Sequence, residues 1–237
     1  MDITDHIQQI LQRYADKGAF HAINGYEDLQ RAGIQGDLVL ALLDLFEDPS
    51  SFSEDKFQDF PIPVIMDYIQ RTHQFYLSKK LPEIEQSIHL LLENYSGGHP
   101  LLTVLTQFYQ SYKHDLVEHI ALEEKQLIPY IQYLCQTDKP VSDIYTFYKK
   151  TQSYSLQHFL ESHHDMEQDL TQVRGTMLKC RPPVTNQTPY RILLSQLETF
   201  EKDLAVHSMV EDRILLPRAL GLEQSFMDDL KYRAGSN

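Results

Sequence analysis

The chain has 237 residues and a formal net charge of −13, because 34 Asp and Glu outnumber 21 Lys and Arg. This acidity makes nucleic acid and anionic membrane surfaces poor partners, and no apolar run approaches the roughly 18 residues of a membrane span. The polar, acidic N-terminus is unlike a signal peptide, and the two cysteines, Cys135 and Cys180, form no CxxC motif. We therefore expect a cytoplasmic protein with reduced thiols that binds neither nucleic acid nor membrane.

Nearly every segment of the chain shows helical periodicity, and the alternating Val, Ile and Thr runs typical of strands are missing. The first predicted elements are helices over 3–14 and 37–46 and an acidic linker over 48–59. A helix over 61–80 follows, which Pro82 restarts as a segment that ends at 95, and a turn covers 96–100. The remaining elements are a long helix over 101–136, one short helix within 137–153, and long helices over 155–178 and 190–220.

Four long helices with mostly short connections predict an all-α protein, built as an antiparallel, up-and-down four-helix bundle. We expect a small helical N-terminal module with its linker at 1–60, the bundle at 61–222 and a C-terminal tail at 223–237.

Histidine is followed four residues later by glutamate five times in this chain. These pairs are His89/Glu93, His114/Glu118, His119/Glu123, His163/Glu167 and His207/Glu211. With 11 His and 15 Glu in the chain, chance would produce about 0.7 such pairs. Residues at i and i+4 lie one turn apart on the same helix face, so an imidazole and a carboxylate can reach one metal ion. Salt-bridged pairs on a wet surface have the same spacing, so the direction of each pair decides its meaning.

Two of the pairs point toward the predicted core. His119 and Glu123 lie in the apolar seam of the second long helix, and His207 and Glu211 lie in that of the fourth. In the first long helix, His73 lies on the apolar seam without a glutamate at i+4. A lone histidine on an apolar face is more often a hydrogen-bonded core residue than a ligand, so these residues gain their meaning as a set.

The remaining candidates divide into surface pairs and one open choice. His89/Glu93 and His114/Glu118 point away from the apolar seams of their helices, which indicates solvated pairs. In the third long helix, His163 lies near the centre of the apolar face and the adjacent His164 is turned away by about 120°. We take His163 as the inward residue, with His164 as the alternative, and Glu167 as an additional ligand or a partner of one.

One inward histidine per bundle helix, with two carboxylates on the same seams, indicates a shared cation. The histidines are separated by 46, 44 and 44 residues along the chain, so up-and-down helices would place them at similar depth. Buried carboxylates without partners cost several kcal/mol each, and a cation between them removes that cost. Mixed imidazole and carboxylate donors suit iron or manganese. The competing interpretation is a purely structural helical protein with buried His/Glu networks.

Four stretches carry a resemblance to a known family: IMDYIQRTHQFYLSKKLPEI, LVEHIALEEKQLIPYI, FLESHHDMEQDL and FEKDLAVHSMVEDRILLPRAL. Over about residues 61–220 the chain resembles the hemerythrin-like (HHE cation-binding) family of non-haem di-iron bundles, and most of all its repair-of-iron-centres branch, which repairs iron–sulfur clusters under nitrosative and oxidative stress. The resemblance implies two iron ions, with manganese second, bound by four His and two bridging Glu. Carried over, these ligands are His73, His119, His163, His207, Glu123 and Glu211.

The chain departs from that branch in three places. Residues 1–60 contain no cysteine, although the branch typically carries a cysteine pair there. Tyr95 stands where relatives often have a histidine, and Glu167 stands where oxygen-carrying hemerythrins have a second histidine of the third helix. The last of these differences argues against reversible oxygen carriage and favours a carboxylate-rich, redox-active site.

The resemblance implies a di-iron stress-response protein that handles NO, O2 or peroxide, or that donates iron for cluster repair. Its partners would then be a small diatomic ligand or peroxide, together with iron–sulfur proteins. The alternative is a hemerythrin-like sensor or iron- and oxygen-binding module that does not turn over.

Overall fold

In a computed structural model of the chain, residues 3–14, 29–30, 33–94, 100–136, 156–157, 159, 166–179 and 187–235 are described, and all their regular structure is helical. The all-α prediction is confirmed for these residues. None of their helices is long and apolar enough to cross a membrane. The α-helices are α1 (Ile3–Gln12), α2 (Gly36–Glu47), α3 (Asp55–Gln58), α4 (Ile62–Phe75), α5 (Leu81–Asn94), α6 (Pro100–Leu122), α7 (Ile128–Cys135), α8 (Met166–Lys179), α9 (Thr188–Val210) and α10 (Leu216–Gly235).

Three pairs of these helices are continuous through a π-helical turn. The turns are Tyr76–Lys80 between α4 and α5, Glu123–Leu127 between α6 and α7, and Glu211–Leu215 between α9 and α10. At the end of each turn a backbone N–H donates to the carbonyl five residues back: Leu81 to Tyr76, Ile128 to Glu123, and Leu216 to Glu211.

A proline six residues after the start of each π turn explains its position. These residues are Pro82, Pro129 and Pro217. Proline has no N–H and its ring clashes with the carbonyl four residues back, so the α-helical bond cannot form there and the turn widens. The predicted restart at Pro82 is therefore wrong in detail, because the helix passes through a π turn and continues.

The helices of the predicted bundle pack in a closed ring. Helix α5 packs against α9, α9 against α8, α8 against α6, and α6 against α5. One apolar cluster fills the space between them and includes the fully buried Tyr76, Leu105, Leu197 and Phe200. The antiparallel, up-and-down order of the four helices stays a prediction.

A second apolar cluster joins the N-terminal residues to the other end of these helices. Ile10 of α1 and Leu42 of α2 belong to the same cluster as Val206 and Val210, which flank His207. The predicted linker at 48–59 is wrong in character, because it contains a 3-10 turn, Pro49–Ser51, and helix α3. Phe57 of α3 is fully buried in this cluster.

At the C-terminus, α10 continues to Gly235, well past the predicted helix end at residue 220. Tyr130 of α7 donates a hydrogen bond to Glu223 within this extension. The domain boundaries at residues 60 and 222 stay predictions.

Candidate metal centre

Three buried side chains from different helices bring their ligand atoms together. Each of His73 on α4, Glu123 at the π turn after α6, and His207 on α9 offers one atom, and these atoms all lie within 4.8 Å of one another. The rings of His73 and His207 meet edge to face, with centroids 5.0 Å apart. This spacing matches donors arranged around a common point, as metal coordination requires.

Glu123 directs its two carboxylate oxygens toward two different histidines. Its Oε2 lies 2.9 Å from Nε2 of His73, and its Oε1 lies 2.6 Å from Nε2 of His119 on the same helix. The Glu123 side chain is fully buried, whereas that of His119 is 16% exposed. A carboxylate with each oxygen beside a different imidazole is disposed to bridge two cations that those imidazoles cap.

A second buried carboxylate stands beside the first. Glu211 follows His207 by one turn, with Oε2 3.5 Å from Nε2 of that histidine. Burial, together with the negative charges of Glu123 and Asp212 and a hydrogen bond with Glu123, raises the pKa of Glu211 well above its usual range. A cation between the two carboxyl groups would relieve the same unfavourable burial and repulsion of charge.

The two inward histidines have opposite protonation tendencies. Burial opposes the charge on His73, but its contacts with Glu123 and Glu124 outweigh burial and raise its pKa to about 9. Burial and the nearby charge of His73 hold the pKa of His207 well below its usual range. His207 is therefore a neutral imidazole near pH 7, the form that binds metal ions.

The unsatisfied polar atoms of the cluster fit a cation. Among the described residues, Nδ1 of His207 and Oε1 of Glu211 are buried without a hydrogen-bond partner. Such atoms are costly inside a protein unless something else pairs with them. Imidazole nitrogens and carboxylate oxygens together form a donor set that suits iron.

Glu124 is a residue of the site that the sequence reasoning missed. Its Oε1 lies 2.7 Å from Nδ1 of His73, and its Oε2 accepts a hydrogen bond of 3.0 Å from Gln70. Nδ1–H of His73 can donate to this carboxylate, which fixes the ring and turns Nε2 toward Glu123. A carboxylate on the far nitrogen of a metal-binding histidine is a recurrent device for orienting it. The only sequence signal is the Glu123-Glu124 doublet, since the contact joins two helices.

Tyr76 is the second missed residue. It starts the first π turn, six residues before Pro82, as Glu123 and Glu211 start theirs. Its ring lies 5.7 Å from that of His207, and its hydroxyl donates a hydrogen bond of 3.1 Å to Asp203.

The predicted surface pairs are confirmed as such. His89 and Glu93 are 71% and 58% exposed, with 3.1 Å between their charged atoms, and both His114 and Glu118 are exposed. The predictions that concern His163, His164, Glu167, Tyr95 and a short helix within 137–153 lie outside the described residues and side chains. Cys135 is an exposed free thiol, and Cys180 also lies outside the described residues.

The family profile described as Hemerythrin HHE cation binding domain matches residues 76–219. The match covers more than half of the chain, so this protein belongs to the hemerythrin HHE cation-binding family. It includes Glu123, His207 and Glu211 and begins three residues after His73.

The chain is also similar to the iron-sulfur cluster repair protein ScdA of Staphylococcus haemolyticus (strain JCSC1435). The two are 21% identical over 155 residues, which is 65% of this chain and 65% of that protein, just under two thirds of the relative's length. This similarity agrees with the repair branch named from the sequence.

Proposed function

We propose that this protein holds two iron ions in its buried His/Glu cluster and acts in the repair of iron–sulfur clusters under nitrosative or oxidative stress. The observation that carries the proposal is the convergence of His73, Glu123 and His207, three buried donors from three helices within 4.8 Å. The family of cation-binding domains supports the metal, and the similarity to a repair protein supports the process.

Each ligand has a distinct role in the proposed centre. Glu123 and Glu211 would hold the two ions between them, and the histidines would complete the ligand set. The capping residues are His73, His119 and His207, with His163 as the predicted fourth. Bound iron supplies the capacity to bind or reduce NO, O2 or peroxide, or to be donated to a damaged cluster.

The surrounding residues prepare these ligands. Glu124 keeps a proton on Nδ1 of His73, which leaves Nε2 to face the metal. The low pKa of His207 keeps its imidazole neutral without an energetic cost at pH 7. On one side of His207 lies the ring of Tyr76, which in turn packs against Phe200 with ring centroids 5.0 Å apart.

Iron quantification tests the metal. We expect about two irons per chain after anaerobic reconstitution with Fe²⁺, and an optical spectrum that changes on addition of NO. His73→Ala and Glu211→Ala should each lower the iron content, whereas His89→Ala should not. An iron-free protein with an intact helical circular dichroism spectrum would overturn the di-iron proposal.

A repair assay tests the process. An enzyme with a peroxide- or NO-damaged [4Fe–4S] cluster should regain activity faster with the iron-loaded protein than with an equal concentration of free Fe²⁺. Equal recovery in both reactions would exclude repair while leaving the metal site intact. Partners among iron–sulfur proteins and a cytoplasmic location belong to this same proposal.

A sensor that binds without turnover is the second candidate. The apolar cluster shared by the N-terminal helices and the residues flanking His207 favours it, because a change at the site can reach residues 1–60 through direct packing. Stopped-flow measurements with NO or peroxide separate the two candidates, since a sensor binds about one equivalent per site and then stops.

A further inference from the structure

The end of α1 is bound tightly to the helix that carries His73. Gln12 accepts a hydrogen bond from Lys79 Nζ, and the ring of Tyr14 lies 5.0 Å under the guanidinium of Arg71. Arg71 also donates a hydrogen bond of 3.3 Å to the backbone carbonyl of Arg13. Three consecutive residues of the N-terminal segment therefore contact the first bundle helix or its π turn.

Arg13 is the central residue of this contact, and its side chain is fully buried. Its Nε donates a hydrogen bond of 2.9 Å to the hydroxyl of Thr72, and its Nη2 forms an ion pair with Asp203, which is also fully buried. The guanidinium further lies within 5.6 Å of the ring centroids of Tyr68 and Phe75. The planar, fork-shaped guanidinium of Arg13, the residue that follows α1, thus contacts both α4 and α9.

Two of the polar partners of Arg13 are directly connected to candidate metal ligands. Thr72 immediately precedes His73 on α4, and Asp203 lies one turn before His207 on the same face of α9. Asp203 also accepts a hydrogen bond from the hydroxyl of Tyr76, whose ring contacts that of His207. The guanidinium therefore links α4 and α9 at the level of these two histidines.

We propose that Arg13 is a positioning residue of the metal centre, through which the N-terminal segment holds His73 and His207 at coordination distance. This inference rests on the proposed metal site and adds a role for residues that precede the bundle. A planar guanidinium donates in fixed directions, so it can define the separation of two partners, which a flexible ammonium cannot.

The competing explanation is that Arg13 contributes only to folding. Removing one partner of a buried ion pair destabilises a protein in any case, because the other charge is left uncompensated. Iron affinity and stability must therefore be measured together, on variants that separate the two effects.

Three variants and one control accomplish this separation. Arg13→Met removes the charge and the fork. Arg13→Lys keeps the charge opposite Asp203 but loses the fork. Arg13→Met/Asp203→Asn removes both charges, so that no unpaired charge is buried, and retains an acceptor for Tyr76. The control is Leu42→Ala, which shortens a buried apolar side chain of the cluster that includes Ile10 and removes none of the hydrogen bonds or ion pairs of Arg13.

The assay is an anaerobic Fe²⁺ titration of each full-length protein against a competing chelator, with urea unfolding of the metal-free form. We expect all three Arg13 variants to bind iron 10- to 100-fold more weakly, the range typical for lost outer-shell contacts. Arg13→Lys and the double variant should recover unfolding midpoints that Arg13→Met loses, without recovering iron affinity. Visible spectra of the Co²⁺-loaded proteins should show the altered ligand geometry directly.

Two results would overturn the role of Arg13. One is iron affinity within twofold of the unaltered protein in Arg13→Lys and in the double variant. The other is an equal loss of affinity in Leu42→Ala, which would show that affinity follows stability alone. Absence of iron binding by the unaltered protein would instead overturn the proposed function, together with this inference.

Discussion

Replacing Glu211 by Gln should stabilise the metal-free protein and weaken its metal binding, so that one substitution has opposite effects in the two states. Glu211 is 1% exposed and lies beside the fully buried Glu123, with a hydrogen bond between the two carboxyl groups. Glutamine has nearly the same shape and can donate its own N–H to Glu123. It carries no charge, however, and it is a poor ligand for a cation.

The size of the effect follows from the proton on Glu211. Its pKa in the folded protein is raised well above 4.5, so its contribution to stability is fully present below pH 4.5 and is lost as the pH rises toward the folded-state value. Between pH 4.5 and pH 7, which is about 2.5 pH units, the free energy of unfolding can fall by about 1.36 kcal/mol per pH unit. The loss of stability at pH 7 is therefore at most about 3.4 kcal/mol. Glutamine avoids this loss because it does not titrate.

Urea unfolding in the presence of a chelator measures the prediction. Glu211→Gln should raise the free energy of unfolding by roughly 1–3 kcal/mol at pH 7 and by less than about 1 kcal/mol at pH 5. In excess anaerobic Fe²⁺ the unaltered protein should gain stability through binding and the variant should gain much less. Glu93→Gln is the matched control, because it removes an exposed charge of an i,i+4 pair and should change little. A variant less stable than the unaltered protein in chelator at pH 7, or an equal difference at both pH values, would refute the reasoning.

Three further predictions concern the same site. Iron affinity should rise about tenfold per pH unit for each proton released on binding, up to the His73 pKa of about 9. Isothermal titration calorimetry in several buffers would measure that proton release, and an iron affinity that does not change from pH 6 to 9 would contradict the prediction. Glu124→Gln should reduce iron affinity about 10- to 100-fold in a chelator competition, with little change in the urea midpoint because Glu124 is partly exposed. Pro217→Ala should allow the missing α-helical hydrogen bond to form and reorient Glu211, which should lower iron affinity while melting experiments show no loss of metal-free stability.

The sequence predicted the direction of individual side chains well because helical periodicity is a local property. His119, Glu123, His207 and Glu211 interrupt apolar seams, and the last three are buried in the structure while His119 is partly so. The exposed His89/Glu93 pair was correctly set aside by the same geometry. The face of a helix on which a residue lies depends only on its position in the sequence, so it can be predicted without a structure.

Contacts between helices could not be predicted in the same way. Glu124 meets His73 across 51 residues of sequence, and Asp203 meets Arg13 across 190. These pairs depend on which helices become neighbours and at what depth, neither of which periodicity supplies. Arg13 also lies in a segment whose sequence indicated only a short helix, so a buried charge there had no local signal.

The π turns show how a local signal can be present and still incomplete. Glu123 and Glu211 each begin a π turn six residues before a proline, and each follows a histidine by four residues. The first helix repeats the backbone device with Pro82 but begins its turn with Tyr76, three residues after His73. The His and Glu spacing therefore marks only two of the three π turns in the described part of the chain. The difference has a chemical consequence, because Tyr76 offers a hydroxyl where the other two turns offer a carboxylate. This hydroxyl donates a hydrogen bond to Asp203, which forms the ion pair with Arg13 of the N-terminal segment.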